Sequence, residues 1–225
     1  CRVGGVMLIS HGLRAAVGGG GPTFIDVAGT IVNSASSVSA NLPSGIAAGD
    51  LLVMFVSIAT ATGNTITTPS GWTQFLAQVT GPRTGAYYKV ADGSEGATQS
   101  VTLSSGGNTA SFNVLLIRGQ GLTYTVGAFA ASDTTSPITN AGITPTSSGL
   151  LLGFWGIRAN GTSPITVTGG PSGMSLANVA SGYTGNDAMT NAVYYQDWAA
   201  TATGTREITT SGSIDSSRSL LLQIQ

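Results

Sequence analysis

Charge is scarce in this sequence. Of its 225 residues, 8% are Asp, Glu, Lys or Arg, against roughly 25% in an average soluble domain. Lys89 is the one lysine, beside seven arginines, and the formal net charge is −1. No basic block is present, so nucleic acid is not an expected partner. Cys1 is the sole cysteine, which excludes a disulfide within the chain and a cysteine-based metal site. His11 is the sole histidine. A Ser-His-Asp triad or a histidine zinc site is therefore not expected. The longest apolar runs, Leu51 to Val56 and Leu150 to Trp155, fall far short of a membrane span. A secretory signal fits poorly, because Val6 to Ile9 is too short for its apolar segment and His11 and Arg14 follow it.

Carboxylates are few as well. Glu95 and Glu207 are the only glutamates, so the facing pair of a glycosidase is not expected. Asp26, Asp133, Asp187, Asp197 and Asp215 are scattered. Asp92 and Glu95, three apart in a Gly-rich loop, are the only acids placed to attract calcium, and solvated turn acids are the simpler reading. Gly18 to Gly21 has neither the lysine nor the strand–helix context of a phosphate loop. The expectation is a protein without catalysis, cofactor or metal.

What is abundant is Gly, Ser, Thr and Asn. A surface of such residues carries little charge repulsion and tolerates close packing against neighbours. That suggests a subunit of an assembly; a secreted monomer with a neutral surface is the competing reading. Residues 1–22 form a first unit. Val6, Met7, Leu8, Ile9, Leu13 and Val17 make an apolar arm, and Gly18, Gly19, Gly20 and Gly21 make a hinge of maximal backbone freedom. Such an arm either buries against a neighbouring subunit or stays disordered.

From Thr23 to Gln225 the pattern is β. Val, Ile, Thr, Tyr and Phe cluster in short runs between Gly, Pro, Ser, Asn and Asp, with no sustained helical period. The runs predict strands over 24–32, 37–42, 50–58, 73–79, 85–90, 99–103, 110–118 and 124–130. In the later half they predict strands over 149–157, 165–167, 175–179, 188–195, 206–210 and 218–224. Turn signals every eight to twelve residues suggest an all-β, jelly-roll-like antiparallel sandwich.

The order of motifs repeats. Gly49-Asp50-Leu51-Leu52-Val53-Met54-Phe55 matches Ser148-Gly149-Leu150-Leu151-Leu152-Gly153-Phe154. Pro69-Ser70-Gly71-Trp72-Thr73 matches Pro171-Ser172-Gly173-Met174-Ser175. Ala86-Tyr87-Tyr88 matches Val193-Tyr194-Tyr195, Gln99 to Ser104 matches Arg206 to Ser211, and Val114 to Ile117 matches Leu220 to Leu222. This reads as an internal duplication with pseudo-repeats at about 38–119 and 138–225. The halves either form separate sandwiches or interlock in one, and the short connection Thr134–Gly142 favours interlocking. Leu51–Phe55 and Leu150–Trp155 are apolar at nearly every position, so both faces of these strands need cover, from another subunit or a long loop.

The series Leu42-Pro43-Ser44-Gly45-Ile46-Ala47-Ala48-Gly49-Asp50-Leu51-Leu52, then PSGWT at 69–73, then Tyr87-Tyr88-Lys89-Val90-Ala91-Asp92-Gly93-Ser94-Glu95, resembles a group of β-sandwich proteins of tailed bacteriophages and prophages. The resemblance covers roughly residues 38–225. It implies a virion-associated structural or tail protein, on the particle exterior, whose partners are copies of itself and other virion proteins. A trimer is the natural packing for exterior jelly rolls. The second half departs from the pattern: PSGMS lacks the aromatic, and Gln196-Asp197-Trp198 replaces the VADG-type turn. Read from the residues alone, GDLL and PSGWT are turn chemistry that shapes a fold.

Carbohydrate binding is the alternative function. Sugar C–H faces stack on exposed rings, and Trp72, Tyr88, Trp155, Tyr183, Tyr195 and Trp198 are the candidates for contact with host-surface glycans. In Tyr87-Tyr88 and Tyr194-Tyr195 the two rings must face opposite sides of a sheet. Core or interface packing is the more common fate of such aromatics.

Overall fold

The structure is a computed structural model that describes residues 7–9, 21–33, 36–60, 64–104, 109–119, 121–130, 133–184 and 187–225. Val6, His11, Leu13, Val17, Gly18, Gly19 and Gly20 lie outside the described residues. Among the described residues all regular structure is strand, in this order: β1 (Met7–Ile9), β2 (Thr23–Asn33), β3 (Ser37–Asn41), β4 (Leu51–Ile58), β5 (Thr73–Gln74), β6 (Arg83–Val90), β7 (Thr98–Thr102), β8 (Thr109–Arg118), β9 (Tyr124–Val126), β10 (Ile138–Asn140), β11 (Gly149–Asn160), β12 (Thr166–Gly169), β13 (Ser175–Thr184), β14 (Asp187–Trp198), β15 (Arg206–Ser211) and β16 (Ile214–Ile224). Every ladder between these strands is antiparallel.

The strands make four sheets. The first half builds a large sheet, β2-β8-β4-β6-β5, and a small one, β3-β7. The second half builds a large sheet, β9-β16-β11-β14-β13, extended at β9 by β1, and a small one, β10-β15-β12. With Leu51 equated to Leu150, the two large sheets have the same strand order. The two large sheets face each other, and a small sheet covers the outer face of each. The halves therefore do not interlock strand by strand, contrary to expectation. Each half closes its own two sheets, and the halves are joined through a shared central core.

This layering explains the continuously apolar strands. Leu51, Val53 and Phe55 of β4 point to the shared core, with Leu150, Leu152, Phe154, Leu220, Leu222 and Ile224 opposite. Leu52, Met54, Val56 and Ile58 point outward to Val38, Ala40, Val101 and Leu103 of the first small sheet. Leu151, Trp155 and Ile157 of β11 do the same towards Ile138 and Ile208. Both covers thus come from the chain itself, and no second subunit or long loop is needed for them. Phe55 and Phe154, equated by sequence, stack with ring centroids 4.6 Å apart and 11° between planes. Tyr88 packs on Tyr124 at 5.3 Å, and its equivalent Tyr195 packs on Phe24 at 4.2 Å. These reciprocal pairs place an approximate two-fold axis at the phenylalanine stack.

One end of the shared interface is polar. The Asn178 Nδ2 donates to Asn113 Oδ1 at 2.6 Å, Asn113 Nδ2 to the Asn191 carbonyl at 3.2 Å, and Asn191 Nδ2 to the Ser111 carbonyl at 3.0 Å. Ser111 Oγ donates to the Ala180 carbonyl at 3.0 Å. Buried amides that bond across the interface have a single good register, so they fix how the sheets stack.

Candidate functional site

The repeated turn is structural in both halves. Trp72 N–H donates to the Pro69 carbonyl at 3.1 Å and Met174 N–H to the Pro171 carbonyl at 3.1 Å. Gly71 and Gly173 hold φ of 80° and 77°, a region in which side chains with a Cβ are strained. Trp72 then enters the first outer core at 6% exposure, its Nε1 donating to Gln99 Oε1 at 2.9 Å. Trp155 is fully buried, its Nε1 donating to the Ile138 carbonyl at 3.3 Å. Its bulk is accommodated by Gly153, where a Cβ would come within 2.5 Å of the indole; the first half has Met54 and Val56 at these two places. Trp72 and Trp155 therefore leave the set of glycan-contact residues. Tyr88 and Tyr195 are half-buried and occupied by each other's halves, as described above. Tyr183 is half-exposed on β13.

The other first-half motifs also serve the fold. The Asp50 carboxylate takes a bidentate pair from Arg118, Nε at 2.8 Å and Nη2 at 2.7 Å, and a bond from Ala47 N–H at 2.8 Å. The Arg118 bonds hold its carboxyl below the ordinary 3.8, against the opposing effect of burial. Glu95 accepts from the backbone of Asp92 and Gly93 at 3.0 and 2.9 Å and pairs with Lys89 at 3.0 Å. Asp92 accepts from Ser94 N–H at 2.8 Å. The acids of this loop are thus committed to the loop's own shape. Among the described residues no group of three or more His, Cys, Asp or Glu is arranged to hold a metal ion.

The second half differs at one corner. Gly149 pairs with Trp198 and Leu150 with Asp197; the first half has Asp50 with Ala91 and Leu51 with Val90 in these places. The equivalent of Arg118 is Gln225, since Ile117 pairs with Leu51 and Ile224 with Leu150. The ion pair that fills this corner in one half is absent from the other. Beside this end of β11 and β14 is an open depression of about 340 Å³ lined by Gly21, Pro22, Ser148, Gly149, Asp197, Trp198 and Ala199. Trp198 Nε1 donates to the Thr201 carbonyl at 3.0 Å, and the Arg206 guanidinium lies 4.6 Å from the ring centroid. Arg206 is tied in turn to the Ser172 carbonyl at 2.8 Å.

Of the sequence-derived candidates, Trp198 and Gly21 of the hinge line this depression. The partners Asp197, Ser148 and Arg206 were not singled out as site residues. The legible signal for them was the replacement of the VADG-type turn by Gln196-Asp197-Trp198. Of the arm, Met7–Ile9 forms β1 and pairs Met7, Leu8 and Ile9 with Val126, Thr125 and Tyr124. Comparison with family models, curated proteins and solved structures finds no match to this chain.

Proposed function

We propose that this chain is a structural subunit on the exterior of a bacteriophage particle, in a head decoration or in a tail or fibre, and that it works by assembly with copies of itself and other virion proteins. The observation that carries this reading is β1. It adds to the sheet edge at β9, while residues 10–22 separate it from the sandwich that begins at Thr23. Arg118 and Tyr124 are the pairing partners of Thr23 and Ile9, and the chain between them reaches at most about 20 Å. Residues 10–22 can extend to about 45 Å. The tether is thus long enough to deliver the strand to the β9 edge of an adjacent copy, and exchange of an identical element is a low-cost route to oligomers.

Two further features support assembly. The surface is nearly uncharged. The ten-residue edge strand β13 carries no charged side chain and exposes Leu176 and Tyr183, whereas edges that must stay unpaired usually carry charge or proline. The resemblance of the first-half motifs to those of phage β-sandwich proteins points the same way.

Light scattering tests the reading on the full chain, on the chain lacking residues 1–22, and on the full chain with a synthetic peptide of residues 1–12 as competitor. The full chain is expected to be an oligomer, with three copies the first stoichiometry to look for. The truncated chain is expected to be a folded monomer, and the peptide to dissociate the oligomer. A full chain that stays monomeric at about 100 μM, far above a micromolar Kd, would overturn it, as would an oligomer indifferent to loss of the arm.

A further inference from the structure

We propose that the groove between the edges of β12 and β13 is a subsite for a glutamine side chain, presented by an extended segment of a partner protein, with the Tyr194 hydroxyl and the Val167 backbone as its hydrogen-bond partners. The groove is separate from the β9 edge that carries the assembly reading. The chemistry of its occupant is given by what the first half puts in the same place.

In the first half the place is filled from within. Gln78 Oε1 accepts from Ile66 N–H at 2.9 Å, and Gln78 Nε2 donates to the Ile66 carbonyl and, at 3.0 Å, to the Tyr87 hydroxyl. One planar amide thus serves both a strand's backbone and a phenol. The ladders give the second-half counterparts. Tyr194 pairs with Gly153 as Tyr87 pairs with Met54. Val167 pairs with Thr210 as Ile66 pairs with Leu103. Ala180 pairs with Asn191 as Val79 pairs with Thr84, which puts Val179 where the first half has Gln78. Counting from the shared Pro-Ser-Gly, Met174 replaces Trp72 and Gly170 replaces Thr68. All three exchanges reduce bulk, and Gly170, Met174 and Val179 all line the groove.

The groove has a volume of about 380 Å³ and is lined also by Val167, Leu176 and Tyr194; pockets of this size hold small ligands. Tyr194 is 4% exposed, and its hydroxyl has no hydrogen-bond partner among the described residues. Burial raises the pKa of both phenols; at Tyr87 the Gln78 bond opposes the rise, and at Tyr194 nothing does. A buried polar group calls for a partner. A Cβ at Gly170 would lie 2.5 Å from the Tyr194 ring and 3.1 Å from its oxygen, so bare backbone flanks the hydroxyl. β12 and β13 each pair on one side only, which leaves both edges open to an extended segment. Val167, Met174, Leu176 and Val179 suit the methylenes of a glutamine. The lining holds no charged side chain, which disfavours a carboxylate or ammonium in the amide's place.

The test follows the Val167 and Gly170 amides of the full chain by ¹H–¹⁵N NMR. The probe is the peptide Ac-Lys-Phe-Leu-Ala-Gln-Val-Thr-Lys-NH2, which carries the first half's own residues 75–80 between solubilising lysines. It is expected to shift both amides saturably with a Kd on the order of 1 mM. The same peptide with leucine or glutamate in place of the glutamine should bind about tenfold more weakly. Tyr194→Phe removes a hydroxyl that bonds nothing in the free chain, so Tm should hold while peptide binding weakens about three- to tenfold, one neutral hydrogen bond. Val179→Gln supplies the amide from the chain itself and should abolish binding. No saturable shift at about 10 mM, well above a millimolar Kd, overturns the proposal, as does a leucine peptide that binds as tightly as the glutamine peptide. The same shifts on concentrating the chain alone would give the groove to a second copy and overturn the assignment to a partner protein.

Discussion

Phe55→Ala and Phe154→Ala test whether the two halves share one core. Each ring is fully buried, and truncating a buried Phe costs about 3–5 kcal/mol in lost transfer energy and residual cavity. For a chain of this size that lowers Tm by roughly 6–20 °C. The stack itself, at 4.6 Å and 11°, contributes about 0.5–1.5 kcal/mol beyond buried area. A double-mutant cycle reads that part as non-additivity: the double variant should cost about 0.5–1.5 kcal/mol less than the sum of the singles. If the double alanine variant does not fold, Phe→Leu at both sites gives the same cycle at a cost below about 1.5 kcal/mol per site. Urea unfolding followed by fluorescence supplies the assay, with Trp72 reporting on the first half and Trp155 and Trp198 on the second. Phe55→Ala should move both reports together, because the first half's loss exposes Leu150, Leu152, Leu220 and Leu222 of the second. If Phe55→Ala shifts only the Trp72 report and leaves the second half's midpoint in place, the shared-core argument fails.

Two further perturbations address the first-half motifs. Arg118 holds the Asp50 carboxyl below 3.8, so the pair stabilises the fold above the unfolded-state value and the contribution is lost as pH falls through the folded one. Asp50→Asn should lower stability at pH 7 and flatten the acid limb of a Tm-versus-pH curve below about pH 4; an unchanged limb would show that the pair contributes nothing measurable. Gly71→Ala meets no crowding, since the nearest atom to its Cβ would be Lys89 Cε at 3.8 Å. Its cost is therefore the positive φ alone, about 1–2 kcal/mol, or roughly 2–8 °C in Tm, read by differential scanning calorimetry.

The strands were legible in the sequence because alternation and turn residues mark them locally. Runs expected over 24–32, 110–118 and 206–210 differ from β2, β8 and β15 by at most one residue at either end. The run over 73–79 shrinks to Thr73–Gln74; Val79 returns only as an isolated bridge to Thr84, and between them the Gln78 side chain bonds Ile66 and Tyr87. β1 and β10 are three residues each, too short for a period to show. The layering was not legible. Apolar strands such as Leu51–Phe55 announce that both faces are covered, but not by what, since one cover comes from within the same half and the other from residues about a hundred positions away. Trp155 illustrates the limit: nothing local distinguishes a buried indole from an exposed one, whereas Gly153 two positions earlier on the same face was the clue to its burial.

The same comparison of halves that explains the core also isolates one corner, at Gly149, Trp198 and Gln225. Where a strand order repeats, a position kept in both copies is accounted for by what the fold requires: the prolyl-glycyl turns, the phenylalanine stack and the paired tyrosines all fall in this class. A position that differs is informative only if the exchange is concerted. Asp50, Ala91 and Arg118 against Gly149, Trp198 and Gln225 is a concerted exchange, since all three places meet at one corner. Drift in an unconstrained corner would leave an ion pair half-dismantled, with a buried acid or an arginine lacking its partner at a cost of about 1–3 kcal/mol or more. Here acid and base are lost together, glycine keeps the backbone close, and a tryptophan is held by Thr201 and Arg206. One strand order is thus met by two corner chemistries, an ion pair in the first half and an indole tied to Thr201 and Arg206 in the second.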